Sequence, residues 1–332
     1  MTISVIVPTY NRAALLPATL ERILAQSTAP AQVVVIDDGS TDETAALMAD
    51  RYAAVDYVRI DNAGASIARF EGVCRATQPW VAFCDSDDLW EPDHLRTVDE
   101  ARRRVPDVEA WFTNFVDFAD EPGRPAYDRF ANMPRDWWRT WSAEIDGDLR
   151  LMRTDCVLGF LVANPVFPST LTACRERLLA LGRPDPVVSR LQTEDADLTR
   201  RLVASARTGA IAHPTVKIRK HAGNFSANKL GNYVGKGAVL TRTLAEPGAC
   251  FDGYVEAIRR ARNAAFADAL RQAIWSRSWG DVAEIYVRGV RRFAVPIEAK
   301  YAAVGAVAAA ARRLALLARD RRVAGIFDRL GC

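Results

Sequence analysis

The chain has 332 residues, 49% apolar and 26% charged, with a formal net charge of +3. That composition suits a globular protein with one large core or two smaller ones, and excludes a disordered or fibrous chain. The charge is uneven: residues 1–250 hold 29 Lys+Arg against 33 Asp+Glu, whereas residues 251–332 hold 15 against 8, so a weakly acidic body precedes a basic tail suited to an anionic surface. Six cysteines with no CxxC spacing and only three histidines argue for reduced thiols rather than a disulfide frame, and limit any histidine-rich metal site.

The opening MTISVIVPTY lacks the basic and apolar regions of a signal peptide, and no apolar run reaches the length of a spanning helix. The expectation is a cytoplasmic protein, peripheral on the inner face of the membrane through its basic C-terminal helices.

Thr2–Val7, β-branched and ended by Pro8, reads as a buried first strand. Ala13–Gln26 has Leu16, Leu20, Ile23 and Leu24 at helical spacing. Gln32–Ile36 is a second strand closing on Asp37-Asp38-Gly39-Ser40-Thr41-Asp42, where Thr41 or Asp42 can cap the next helix. Val55–Ile60 is a third strand, and Asp61-Asn62-Ala63-Gly64 turns into a helix over Ser66–Ala76. Pro79–Trp90 holds the fourth strand, an apolar run Val81–Cys84 that stops at Asp85, Asp87 and Asp88. This alternation predicts a mostly parallel sheet with helices on both faces.

Pro92–Arg104 reads as a helix, Val108–Phe118 as a strand, and 119–150 as an irregular stretch holding Trp137, Trp138 and Trp141. The tryptophans fit an apolar cluster under a long loop slightly better than a sugar platform. Ser169–Ala173 and Ala210–Arg219 are strands, and Asp195–Ala206 a helix. Residues 222–250, with several glycines, read as the join to an all-helical tail from Phe251.

Three carboxylates within four residues repel one another unless a positive group lies among them, and a divalent cation with oxygen ligands and substrate phosphates is the natural partner. In open α/β sheets ligands bind beyond the carboxyl ends of the strands, where Pro8, Thr9, Tyr10, Arg12, Asp37, Asp38 and the 85–88 acids all fall. Tyr10 can stack on a planar base, Asp38 can accept from a base or ribose, and Arg69 can reach a phosphate. Each residue alone has a plainer role, as packing, turn former or surface ion pair; their convergence on one edge favours a site. The other D-x-D pairs, Asp146–Asp148 and Asp195–Asp197, follow no apolar strand. No G-x-G-x-x-G follows a strand and no P-loop is present.

Ser4–Arg12 (S-V-I-V-P-T-Y-N-R), Val35–Asp42, Asn62–Arg69, Phe83–Asp88 and Thr193–Leu198 together resemble family 2 glycosyltransferases of the GT-A fold. The likeness spans residues 2 to about 226, which implies a GT-A domain over 1–226 and a helical, basic extension over 227–332. The resemblance implies inverting transfer of a sugar from a nucleotide-diphosphate donor, a UDP-sugar first, to an acceptor hydroxyl on a surface glycan or lipid-linked acceptor, with no nucleic-acid partner. It implies that Pro8, Thr9, Tyr10, Arg12 and Asp38 hold the nucleoside end of the donor, that Arg69 meets the diphosphate, and that Asp85, Ser86 and Asp87 form the D-x-D that holds Mg²⁺ or Mn²⁺. Asp88 is the neighbouring metal candidate, and His221, in Arg219-Lys220-His221, would complete the shell as it does in some relatives. Asp195 is the expected general base, with Glu194 on acceptor hydroxyls. Phe70 departs from the asparagine common in such enzymes. Two other readings are a sugar-phosphate nucleotidyltransferase, which would want a glycine-rich N-terminal loop, and a catalytically silent nucleotide-sugar-binding subunit, against which the intact acids argue.

Overall fold

A computed structural model of the protein describes residues 3–118, 127–220, 228–245, 249–313 and 324–329. The chain divides into two compact units, Met1–Arg190 with Asp195–Ala222, and Leu191–Glu194 with Gly223–Cys332.

The first unit is built on strands β1 (Ile3–Thr9), β2 (Gln32–Asp37), β3 (Asp56–Arg59), β4 (Trp80–Phe83), β5 (Leu89–Trp90), β6 (Ala110–Phe118), β7 (Ser142–Asp146), β8 (Leu149–Met152), β9 (Leu171–Cys174) and β10 (Thr208–Arg219). Nine lie in the order β3-β2-β1-β4-β9-β6-β10-β8-β7, and β5 pairs with β10. β3, β2, β1 and β4 run parallel. The far half is mixed: β9 inserts antiparallel between β4 and β6, while β6 and β10 are parallel. β1 has no polar face, and every residue in it is buried, as a central strand covered on both faces requires.

Helices α1 (Leu16–Leu24), α2 (Thr44–Arg51), α3 (Ala65–Arg75) and α4 (His94–Arg104) make the crossovers. Leu16, Leu20 and Ile23 are buried as the spacing predicts, but Leu24 is 49% exposed, because it lies one residue beyond the stripe. α3 packs so closely on β1 that a Cβ on Gly72 would lie 2.2 Å from the Ile6 side chain.

The stretch expected to be irregular contains α5 (Trp137–Trp141) and the hairpin β7–β8, turned at Asp146-Gly147-Asp148 with Gly147 at φ +56°. The aspartates and glycine there are turn chemistry. Trp137 is buried and meets Trp138 and Phe160 edge-on. Short helices α6 (Val157–Val162) and α7 (Arg175–Ala180) precede α8 (Glu194–Ser205). Pro214, with no N–H to give, coincides with the register shifts in β10.

The second unit holds α9 (Lys229–Ala245), α10 (Val255–Trp275), α11 (Trp279–Glu284), a π-helical turn at Ile285–Arg291, α12 (Ala299–Arg313) and α13 (Ala324–Arg329). α9 occupies the stretch read as a join. Its glycines are contact points rather than turns: a Cβ at Gly235 would lie 2.4 Å from the Gln192 carbonyl oxygen, and one at Gly237 2.6 Å from the Phe266 ring. Leu230, Val234, Phe266, Leu270, Val282, Ile285 and Phe327 form its core. No described helix is long and apolar enough to cross a membrane. Cys74, Cys84, Cys156, Cys174 and Cys250 are unbridged.

Candidate active site

Because β1, β2 and β4 are parallel, their carboxyl ends share one edge, with Thr9 opposite Asp37 in register. The loops leaving that edge are stitched together. Asn11, at φ +52°, accepts from the Thr41 N–H at 2.7 Å and donates its own N–H to Ser40 Oγ at 2.9 Å. Asp42 accepts from the Ala13 N–H. Asp37 is fully buried and accepts from the Ser40 N–H at 2.7 Å and the Tyr57 hydroxyl at 2.5 Å, so it builds the turn.

Asp38 is also buried, and its carboxylate takes the Ala63 N–H at 2.7 Å and the Gly64 N–H at 2.9 Å. Burial raises its pKa, while the two N–H groups and nearby Arg190 oppose the rise. Gly64, at φ +95°, lies against Ser189, whose Oγ accepts from the Ile67 N–H at 3.0 Å. Arg190 donates to Asn62 Oδ1 and to the Asn62 carbonyl. The 62–67 segment, Asp38 and Ser189-Arg190 therefore form one clamp.

The segment expected as a single strand is two, β4 and β5, with the acids in a tight turn between them: the Asp88 N–H reaches the Asp85 carbonyl at 3.1 Å. Ser169 locks this turn. Its Oγ accepts from the Asp85 N–H at 2.9 Å and donates to Asp88 at 2.5 Å. The other Asp88 oxygen accepts from the Arg219 N–H at 3.1 Å, and Thr19 donates to the Asp88 carbonyl at 2.9 Å. Asp88 is thus buried, with both carboxylate oxygens engaged by the protein. Its pKa is raised well above the ordinary value, first by burial and then by Asp87 and Asp85.

A test follows from that shift. Asp88→Asn keeps the shape and the contact to the Arg219 N–H but removes the buried charge. The folded-state pKa lies above the ordinary 3.8, so the folded wild type holds a proton that the unfolded chain has lost between those two values, and stability falls as pH rises through that window. Denaturant titrations are expected to show the variant gaining on wild type as the pH rises above the ordinary carboxylate value of 3.8. A difference independent of pH would mean that Asp88 titrates as an exposed acid.

Asp85 and Asp87 are different. Their side chains are 26% and 19% exposed, and each faces a guanidinium: Arg69 lies 2.8 Å from Asp85, and Arg12 3.6 Å from Asp87. Arg69 is almost wholly buried beside this turn, which no surface role would require. Ser86 is buried between the two acids. Tyr10 is 46% exposed, whereas Pro8 and Thr9 are buried, and Thr9 Oγ1 has no hydrogen-bond partner among the described residues.

Among the described residues no three His, Cys, Asp or Glu side chains form a ready cation cage. A magnesium-type ion is held through one or two carboxylates plus substrate phosphates, and the partly exposed Asp85–Asp87 pair fits that donor set. His221 lies outside the described residues. His94 is buried, stacked on Trp90 and bonded to Thr215, and burial pushes its pKa down to about 3, so it is a neutral core residue.

Glu194 and Asp195 open α8, after Thr193 at φ +68°. Asp195 begins five residues after the Arg190 that grips Asn62. Arg200, one turn on, is buried; burial lowers its pKa, and Asp197 and Asp195 oppose that shift, so Asp195 lies within the field of a buried cation. Ser169, Ser189, Arg190 and Arg200 carry no sequence signal of their own. Only a spacing argument for a cation five residues from each side of Asp195 could have found the two arginines. A separate cleft of about 600 Å³ is lined by Met133, Trp137, Trp138 and Arg150, and none of the acidic-edge residues borders it.

Residues 4–157 match the family model described as Glycosyl transferase family 2. An uncharacterized glycosyltransferase of Escherichia coli K12, YibD, is 37% identical over 99 residues, 29% of each chain. The validoxylamine A glucosyltransferase of Streptomyces hygroscopicus subsp. limoneus is 41% identical over 103 residues, 29% of this chain and 22% of the relative. The matches thus span under a third of these relatives. The S. aureus TarS structure (residues 1-349) in complex with UDP aligns with 93% of this chain and 87% of its own at TM-score 0.59 and 16% identity, a likeness of fold. Residues 4–157 thus carry a glycosyl transferase family 2 sequence, within a GT-A fold that is followed by a helical C-terminal region.

Proposed function

We propose that the protein transfers a sugar, with inversion, from a UDP-sugar to a hydroxyl of a surface glycan or lipid-linked acceptor, on the cytoplasmic side of a membrane. The observation that carries this reading is the pairing of two partly exposed carboxylates, Asp85 and Asp87, with Arg69 and Arg12 on the edge that also holds Asp38. Alternating charge of this kind suits a diphosphate with a cation: the carboxylates would hold the ion and the guanidiniums would meet phosphate oxygens. Tyr10 offers an exposed ring to the base, and Pro8, Thr9 and Asp38 frame the nucleoside. The solved TarS complexes hold UDP and UDP-GlcNAc on the same fold, which supports uridine as the base.

Asp85 and Asp87 are the residues that would hold Mg²⁺ or Mn²⁺, with His221 a further candidate; the bound ion would neutralise charge on the departing diphosphate. Asp88 is the buttress that fixes their turn. Asp195 takes the proton from the acceptor hydroxyl as that oxygen bonds to the anomeric carbon. The bond from that carbon to the diphosphate oxygen breaks, and its electron pair leaves with UDP. Glu194 orients the acceptor hydroxyls. Residues 1–226 carry this chemistry, and 227–332 supply the basic region that meets anionic lipid.

The test is a thermal-shift panel of nucleotide sugars with and without Mn²⁺. UDP-sugars at about a hundred times their dissociation constant should add about 2.7 kcal/mol of stability. No shift with any nucleotide sugar would reject the reading.

A further inference from the structure

Between α10 and α11 the chain makes a turn over Trp275-Ser276-Arg277-Ser278-Trp279. Its backbone is tightly ordered. The Ser276 N–H reaches the Gln272 carbonyl at 2.9 Å, Arg277 N–H the Ile274 carbonyl at 3.0 Å, and Ser278 N–H the Ala273 carbonyl at 3.0 Å. Ser278 is buried, and its hydroxyl donates to the buried Asp281 carboxylate at 2.6 Å. Arg277 is held at φ +55°, a conformation costly for a side chain of its size.

This rigid turn holds two indoles in water: Trp275 is 79% exposed and Trp279 42%. Arg277 between them is exposed and makes no ion pair among the described residues. Large aromatics held out of a well-packed unit mark a contact surface. Indoles joined to a cation match the interface of an anionic bilayer, where the ring enters the headgroup layer and the guanidinium meets phosphate. The excess of basic residues over 251–332, 15 against 8 acidic, gives the region the charge that such a surface attracts.

We propose that Trp275 and Trp279 are a preformed wedge that inserts into the headgroup layer of an anionic membrane, with Arg277 on lipid phosphate. This rests on the proposal above that the basic region meets anionic lipid, and adds where and how it does so. The turn is monotopic: it enters one leaflet face and spans nothing.

The full chain is mixed with vesicles of phosphatidylcholine, with or without a quarter of phosphatidylglycerol, carrying brominated acyl chains that quench nearby indoles. Wild type should bind the anionic vesicles with quenching of its fluorescence. The double variant Trp275→Ala/Trp279→Ala should bind about tenfold or more weakly and lose that quenching, while its binding of UDP is unchanged. Equal binding and equal quenching by the two proteins would overturn the wedge and leave the basic region as the lipid contact. Failure of wild type to bind either vesicle would overturn both proposals. Self-association of wild type that the variant loses, without vesicle binding, would overturn the wedge in favour of a second copy of this chain.

Discussion

Asp195→Asn is expected to slow sugar transfer by about 10²–10⁴-fold, the range that a positioned general base contributes, with UDP binding unchanged. The substitution keeps the size of the side chain and the start of α8, where the Asp195 carbonyl accepts from the Thr199 hydroxyl at 2.9 Å. What it removes is the group that takes the acceptor proton. UDP release under saturating donor, together with calorimetric UDP binding, separates the two effects. Turnover at the wild-type rate would mean that the base lies elsewhere. Weakened UDP binding with proportionate loss of rate would instead make Asp195 a donor-binding residue.

The second large effect is on stability. Gly64→Ala places a Cβ 2.2 Å from the Ser189 carbonyl oxygen and 2.6 Å from Ser189 Oγ, at φ +95°. The backbone conformation alone costs about 1–3 kcal/mol for a residue other than glycine. The overlap is with main chain, so one of the two segments must move. We expect a loss of about 3 kcal/mol or more in chemical denaturation, with UDP binding lost as well, since the same segment gives Asp38 its two N–H donors. Gly147→Ala is the control. It too has positive φ, at +56°, but nothing lies within 4 Å of the added carbon, so only about 1 kcal/mol should be lost. Similar losses for the two variants would show that the close approach of Gly64 and Ser189 is not what holds the clamp.

The part of this molecule legible in its sequence is the part governed by local pattern. β1, β2 and β4 are apolar runs that stop abruptly at polar or acidic residues, so their carboxyl ends, and Asp38, Asp85 and Asp87 with them, could be placed on one edge before any coordinates. What pattern does not encode is long-range satisfaction. Asp85, Asp87 and Asp88 are indistinguishable in a string, yet Ser169, from 81 residues away, and the Arg219 N–H turn Asp88 inward and leave the other two beside arginines. The antiparallel insertion of β9 between β4 and β6 likewise depends on partners distant in sequence. The join expected over 222–250 contains the helix α9 because glycine signals a turn by default, whereas Gly235 and Gly237 let Gln192 and Phe266 approach. The β7–β8 hairpin is hidden in the pattern because its turn, Asp146-Gly147-Asp148, lies in a stretch dominated by tryptophans and has the same D-x-D spacing as a metal motif.

The most direct measurement is UDP affinity with and without Mn²⁺, in wild type and in Asp87→Asn. Asp87 is partly exposed and pairs with Arg12, so the amide should fold normally yet lose a ligand for the ion. Wild type should bind UDP more tightly when Mn²⁺ is present, and the variant should lose most of that gain. UDP affinity that ignores both the ion and the substitution would contradict a diphosphate site at this acidic edge.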